Sequence, residues 1–166
     1  LLKRYPEFLK FCVCGLFYQA GIAVVITLSA VYAQLVMKFT TAQTITLILV
    51  VNITAAIGAF VFGYVQDRLG HKKTLALTIL LWIVMGVMAA FSQGPVTFWI
   101  AANIAGVAMG SSQSAGRAVV AVFAPAGELA QFYSAWNVAV WGANVLGPIT
   151  YGTVTWLTSG DQRTAI

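Results

Sequence analysis

Charge is scarce in this chain. Asp, Glu, Lys and Arg supply 8% of its 166 residues while hydrophobic residues supply 60%, against about 25% and 45–50% in a soluble domain. That shortage excludes a water-soluble globular domain and leaves a membrane protein. Acids are scarcest, with four Asp and Glu against nine Lys and Arg, for a net charge of +5. No carboxylate lies inside a long apolar run, so neither a metal centre nor any cofactor is expected. Cysteine is limited to Cys12 and Cys14. Two apart on one helix, they point to different faces, are too close to bridge well and read as small apolar packers. The opening residues, Leu1 to Glu7, lack the cleavage pattern of a signal peptide and include no initiator Met, so the chain is expected to be part of something longer.

What is present is a series of uncharged runs. None of the intervals Lys10–Lys38, Lys38–Asp67, Lys73–Arg117 and Glu128–Asp161 contains a charge. Each exceeds the roughly 20 residues that cross a bilayer as helix. The third is long enough for two crossings, and Ser92-Gln93-Gly94-Pro95 supplies the turn between them. The expected fold is therefore all-α, a polytopic bundle of five transmembrane helices in a single membrane domain, 1–166. The spans fall near 8–36, 42–65, 73–91, 96–120 and 129–157.

Orientation follows from the basic residues of short loops. Lys3, Arg4, Lys10, Arg68, Lys72, Lys73 and Arg117 fall on one side, Lys38 and Arg163 on the other. The richer side is expected to be cytoplasmic, with a cytoplasmic N-terminus and the chain multi-pass in the cell (inner) membrane. Topology thus accounts for the positive charge, and no nucleic-acid partner is implied. Membrane lipids are expected partners, since Lys72 and Lys73 can meet anionic headgroups.

Apolar attraction cannot drive helix association in lipid, so small residues four apart are the usual packing signal. They occur as Ala55, Ala59 and Gly63 in the second span, Ala102, Gly106, Gly110 and Ser114 in the fourth, and Ala135, Ala139, Ala143 and Gly147 in the fifth. The fifth span also places Asn137, Trp141, Asn144 and Pro148 on one face, away from its small stripe. Amides facing lipid would go unpaired. This face therefore meets another helix through hydrogen bonds or lines a path for a ligand. The first span puts Tyr18, Ser29 and Tyr32 on one face with Gln19 beside it, and Asn52 and Asn103 lie within the second and fourth. A lining of amides, hydroxyls and aromatics suits a small polar or zwitterionic solute. The Asn137 face is expected to share a cavity with Tyr18, Gln19 or Tyr32.

The turn between the second and third spans reads Gly63-Tyr-Val-Gln-Asp67-Arg68-Leu-Gly70-His71-Lys72-Lys73-Thr-Leu75. It resembles the cytoplasmic signature of the major facilitator superfamily, G-x-x-x-D-R-x-G-[RK]-[RK]-x-x-L, with His71 at a basic position. A second set of residues comprises Gly110, Gln113, Arg117, Pro125, Phe132-Tyr133, Trp136-Asn137 and Leu146-Gly147-Pro148. It looks like the C-terminal half of the vacuole-effluxer-like branch, the autophagy-related vacuolar amino-acid effluxers. The resemblance implies that these are spans seven to eleven of a secondary active transporter working by alternating access. The solute would be an amino acid or similar small metabolite. It also implies that Gly63, Asp67, Arg68, Gly70 and Lys72 belong to a latch closed in the outward-open state; a plain topology anchor is the other reading of the same residues. One departure stands out: the branch usually has Tyr-x-Asp-Gly in its seventh span, and Tyr18-Gln19-Ala20-Gly21 lacks the acid. Coupling to a proton or cation at that position is therefore not implied, and a protonatable carrier would belong to the missing half.

Five helices cannot supply the two repeat-related bundles of alternating access, so the missing N-terminal half or a second copy is an expected partner. Arg117, near the cytoplasmic boundary, is expected to pair with Asp67 and join the latch. Two rival functions differ in class. A non-transporting scaffold or receptor would not need coordinated polar faces. A serine hydrolase would rest on Ser112-Gln-Ser114-Ala-Gly116, close to a nucleophile elbow, but that elbow needs a strand-to-helix turn where this segment reads as helix. The chain is not expected to be an enzyme.

Overall fold

The computed structural model describes residues 3–35, 37–92 and 94–157, and within them the side chains of all but 28–32, 35, 155 and 157. Five helices follow one another: α1 Pro6–Leu35, α2 Thr41–Leu69, α3 His71–Ala90, α4 Pro95–Phe123 and α5 Leu129–Leu157. They match the five expected spans in order and number. The helix ends have local causes. Proline opens α1 and α4, where its missing N–H costs nothing. A capping box opens α2: Gln43 N donates to Thr40 Oγ1 at 3.3 Å and Thr40 N to Gln43 Oε1 at 2.9 Å. Three segments, Pro6–Thr27, Thr41–Leu69 and His71–Ala90, are long and apolar enough to cross a membrane. The helices α4 and α5 match α2 in length at 29 residues each. In α4 the polar run Ser111-Ser112 is buried, and each hydroxyl donates to its own helix, at Ala108 O and Met109 O.

The packing divides into two compact units, 1–29 with 120–166, and 30–119. In the first, α5 lies along α1. Gly15 sits beneath the Trp136 ring, Leu16 faces Gly142, and Gly147 abuts the Ala20 carbonyl, where an added Cβ would lie 2.5 Å from the oxygen. The contact positions rise together on both helices, so α1 and α5 run parallel. At the α1 start an aromatic cluster closes the unit: Phe8 and Phe132 at 4.4 Å between centroids, Phe11 stacked on Trp136 at 4.9 Å, and Tyr5 edge-on to Phe132 at 5.1 Å. Each such pair contributes about 0.5–1.5 kcal/mol beyond area burial. Arg4 and Glu128 bridge at 3.5 Å, joining the chain before α1 to the turn before α5.

In the second unit, α2 lies along α4. The carbonyls of Val51 and Ala55 face Gly106 and Gly110, and Gly58 faces Val107. These contacts also rise together, so α2 and α4 are parallel, as alternate spans of a bundle must be. Such contacts let backbones approach within weak Cα–H···O reach. At one end Phe39 meets Phe98 at 5.8 Å, and at the other Gln66 reaches Ala115. Outward, α2 exposes Ile45, Leu49, Ile53, Ile57 and Phe60, an apolar face suited to lipid.

The packing residue of α2 differs from expectation in one respect. A Cβ added at Gly63 meets nothing within 4 Å, whereas one at Gly58 would lie 2.6 Å from Val107 O. The stripe that mates is Ala55, Gly58 and Gln66, all buried. Gly63 falls off its axis because helix register, not spacing by fours, decides which residues face α4.

Candidate functional site: a polar helix face and a charged turn

The charged turn is tighter than the sequence suggests. The helix α2 continues four residues beyond the expected boundary at Val65, so Asp67 and Arg68 lie in its last turn, and Gly70 alone separates it from α3. Gly70 adopts φ +80°, which favours glycine over any residue with a Cβ. Its N–H closes α2 on Gln66 O at 2.9 Å, and its carbonyl accepts from Thr74 Oγ1 at 3.0 Å and Thr74 N at 3.2 Å. Arg68 suits the C-terminal end of the α2 dipole. Lys72 and Lys73 do not suit the positive N-terminal end of α3, so helix stability is not their reason to be there.

Asp67, Arg68, Gly70, Lys72 and Arg117 are exposed and Gly63 is half-buried. Asp67 is in neither of the ion pairs Arg4–Glu128 and Glu7–Lys10. The residue that does tie this turn to α4 is Gln66, 5% exposed, which sequence reasoning passed over. Its Nε2 donates to Ala115 O at 3.4 Å and lies 2.6 Å from His71 Nδ1. One signal could have found it: Gln66 follows Ala55 by eleven residues and Gly58 by eight, so helix periodicity puts all three on one face.

On α5, Asn137, Trp141 and Asn144 share an exposed face, with Trp141 70% exposed. Pro148 adds a feature to it, since the missing N–H at position 148 leaves the Asn144 carbonyl without its helical donor. The hydroxyl of Thr150 instead bonds to Leu146 O and Gly147 O. On α1, Tyr18 is half-buried and Gln19 is 8% exposed. No hydrogen bond among the described residues joins Gln19 to Asn137 or Asn144. The side chains of Ser29 and Tyr32, like Gln93 and the segment 158–166 with Arg163, lie outside the described residues. Asn52 and Asn103 are each held by their own helix, donating to Ile48 O and Trp99 O at 2.8 Å; the side-chain carbonyl oxygen and the second amide hydrogen of each remain for other partners. A cavity of about 310 Å³ between α1 and α5 is lined by Leu16, Phe17, Ala20, Gly21, Val24, Leu146 and Thr150. It holds none of the expected binding residues and is apolar. Ser114, the centre of the hydrolase reading, lies within the unbroken helix α4, which lacks the sharp turn that exposes a nucleophile.

Fold and turn together define a class, the polytopic helical membrane proteins of the major facilitator type. The chain belongs to the family described as vacuole effluxer Atg22 like, which it matches over residues 1–166. It is similar to an uncharacterized MFS-type transporter, YxiO, of Bacillus subtilis (strain 168), with 24% identity over 99% of this chain and 38% of that protein. A putative metabolite transport protein of Haemophilus influenzae is 34% identical over 78% of this chain and 32% of its own length. A short segment is 58% identical to solute carrier family 22 member 6 of Oryctolagus cuniculus, over 22% of this chain and 6% of that protein. The chain thus spans well under half the length of the relatives it matches.

Proposed function

We propose that this chain forms five helices of the C-terminal bundle of a secondary active transporter, a single membrane domain completed by an N-terminal bundle. It moves a small polar solute, an amino acid or related metabolite, across the cell membrane by alternating access. Its N-terminus and charged turn face the cytoplasm. The observation that carries this reading is the exposed polar face of α5 within a family of membrane transporters. Asn137, Trp141, Asn144 and the carbonyl freed by Pro148 offer donors, acceptors and an aromatic plane without formal charge, which matches a neutral or zwitterionic solute. Tyr18, Gln19 and Tyr32 of α1, Asn52 of α2 and Asn103 of α4 are further candidates for solute contact, each polar and without formal charge.

The charged turn serves as the latch, with Gly63, Asp67, Arg68, Gly70 and Lys72 acting together with Arg117. In the latched state Asp67 and Arg117 pair, as the fork of a guanidinium favours a carboxylate. Transport is tested by reconstituting the full-length protein in liposomes and following counterflow of radiolabelled neutral, acidic and basic amino acids. Saturable counterflow lost in Asn144→Leu supports the reading. Absence of counterflow across all three classes, with the protein folded and inserted, refutes the amino-acid assignment.

A further inference from the structure

The contact of Gln66 with Ala115 and His71 distinguishes the protonation states of the imidazole. The backbone carbonyl of Ala115 can only accept, so the Gln66 amide must turn its Nε2 toward it, at 3.4 Å. The same Nε2 lies 2.6 Å from His71 Nδ1. An amide nitrogen only donates, so Nδ1 must be the acceptor and carry no proton. The form that makes both contacts is the neutral imidazole with its proton on Nε2. Protonation turns Nδ1 into a second donor facing the first. The amide can answer only by flipping, and a flip sets Oε1 against the Ala115 carbonyl, acceptor to acceptor. In either orientation one of the two contacts is lost.

We infer that Gln66 and His71 form a pH-dependent lock that holds the α2–α3 turn against α4 while His71 is neutral and releases it on protonation. His71 is the chain's one histidine, and histidine is the side chain whose charge ordinarily changes between about pH 5 and 8. The place is apt for control. The lock sits on the single-residue link between two helices, where Gln66, 5% exposed, is a buried polar residue. The charged groups around it are Asp67 and Arg68 on α2, Lys72 and Lys73 on α3, and Arg117 on α4, all exposed. Asp67 is the sole acid of that set. The lock thus holds the turn that bears the charged residues, and it does not depend on which solute is carried. Its sign follows from geometry: the neutral form is the bonded form, so protonation favours release.

The test uses the full-length protein in nanodiscs, with spin labels at Lys73→Cys and Gln113→Cys and other reactive cysteines replaced. Distances are read by pulsed electron resonance at pH 8 and pH 5.5. Loss of one hydrogen bond lowers the ratio of short to long distances by about fivefold. His71→Asn, which keeps a neutral acceptor, holds the short distance at both pH values. His71→Arg and Gln66→Leu give the long distribution at both. Superimposable wild-type distributions at the two pH values overturn the lock, as does a pH response that survives in His71→Asn. Should Gln66→Leu fail to fold, the His71 pair still decides.

Discussion

Replacing Gly58 with alanine adds one methyl group where α2 meets α4, and the structure says what that methyl finds. It would lie 2.6 Å from Val107 O, 2.8 Å from Val107 Cα and 3.1 Å from the Val107 carbonyl carbon. Ordinary carbon contacts are about 3.5–4.0 Å, so the two helices must separate by roughly 1 Å. All three obstacles are backbone atoms, which cannot rotate away as a side-chain tip could. Overpacking of this kind costs about 1–3 kcal/mol, and the upper half applies here. Against it, alanine in a helix interior is favoured over glycine by about 1 kcal/mol. The net is a loss of about 1–2 kcal/mol, read as a lower melting temperature. Gly63→Ala is the control. With nothing within 4 Å of the added methyl, it keeps the helix gain without the clash and leaves stability unchanged or slightly raised. Both variants of the full-length protein are followed by thermal unfolding in detergent. Equal stability of Gly58→Ala and wild type would refute the close α2–α4 seam. A Gly63→Ala protein that is stable yet transports poorly would place the role of Gly63 in contact with the missing half.

Further outcomes follow from the same structure. Single cysteines at Lys38 and Gly94 are expected to react with a membrane-impermeant thiol reagent from outside, and one at Lys72 only from inside; outside labelling at position 72 reverses the topology. Asn144→Leu is expected to lower the initial transport rate at least about tenfold, a loss of roughly 1.4 kcal/mol in transition-state stabilisation, with thermal stability retained; unaltered transport removes Asn144 from the solute path. Asp67→Asn and Arg117→Gln are each expected to shift the carrier toward its inward-facing state, read as increased cytoplasmic labelling. Together they should shift it by less than the sum of the two, and strict additivity would show that the residues do not pair. Trp136→Ala removes a ring that stacks on Phe11 at 4.9 Å and covers Gly15; a loss of about 3–5 kcal/mol is expected, checked by the same unfolding assay.

Much of this protein was legible in the order of its residues. Uncharged runs separated by short charged or glycine-proline turns define five helices, because only a helix hides its backbone polar groups in lipid. The glycines at positions 63 and 70 with the charges between and after them mark the turn, and the family follows from it. Helix periodicity likewise collects Asn137, Trp141 and Asn144 on one face of α5. What periodicity cannot say is which face meets which neighbour, since small residues line several faces of these helices and lipid supplies no hydrophobic force to choose among them. That choice is made by the fit of one helix against another. The packing brings Gly58 to Val107 and leaves Gly63 without a neighbour, while Asn52 and Asn103 bond to carbonyls of their own helices, at Ile48 and Trp99. It also carries Gln66 to a carbonyl 49 residues away in sequence. No local rule foresees that last contact, because it depends on α2 and α4 lying parallel in one register, which only the assembled helices set.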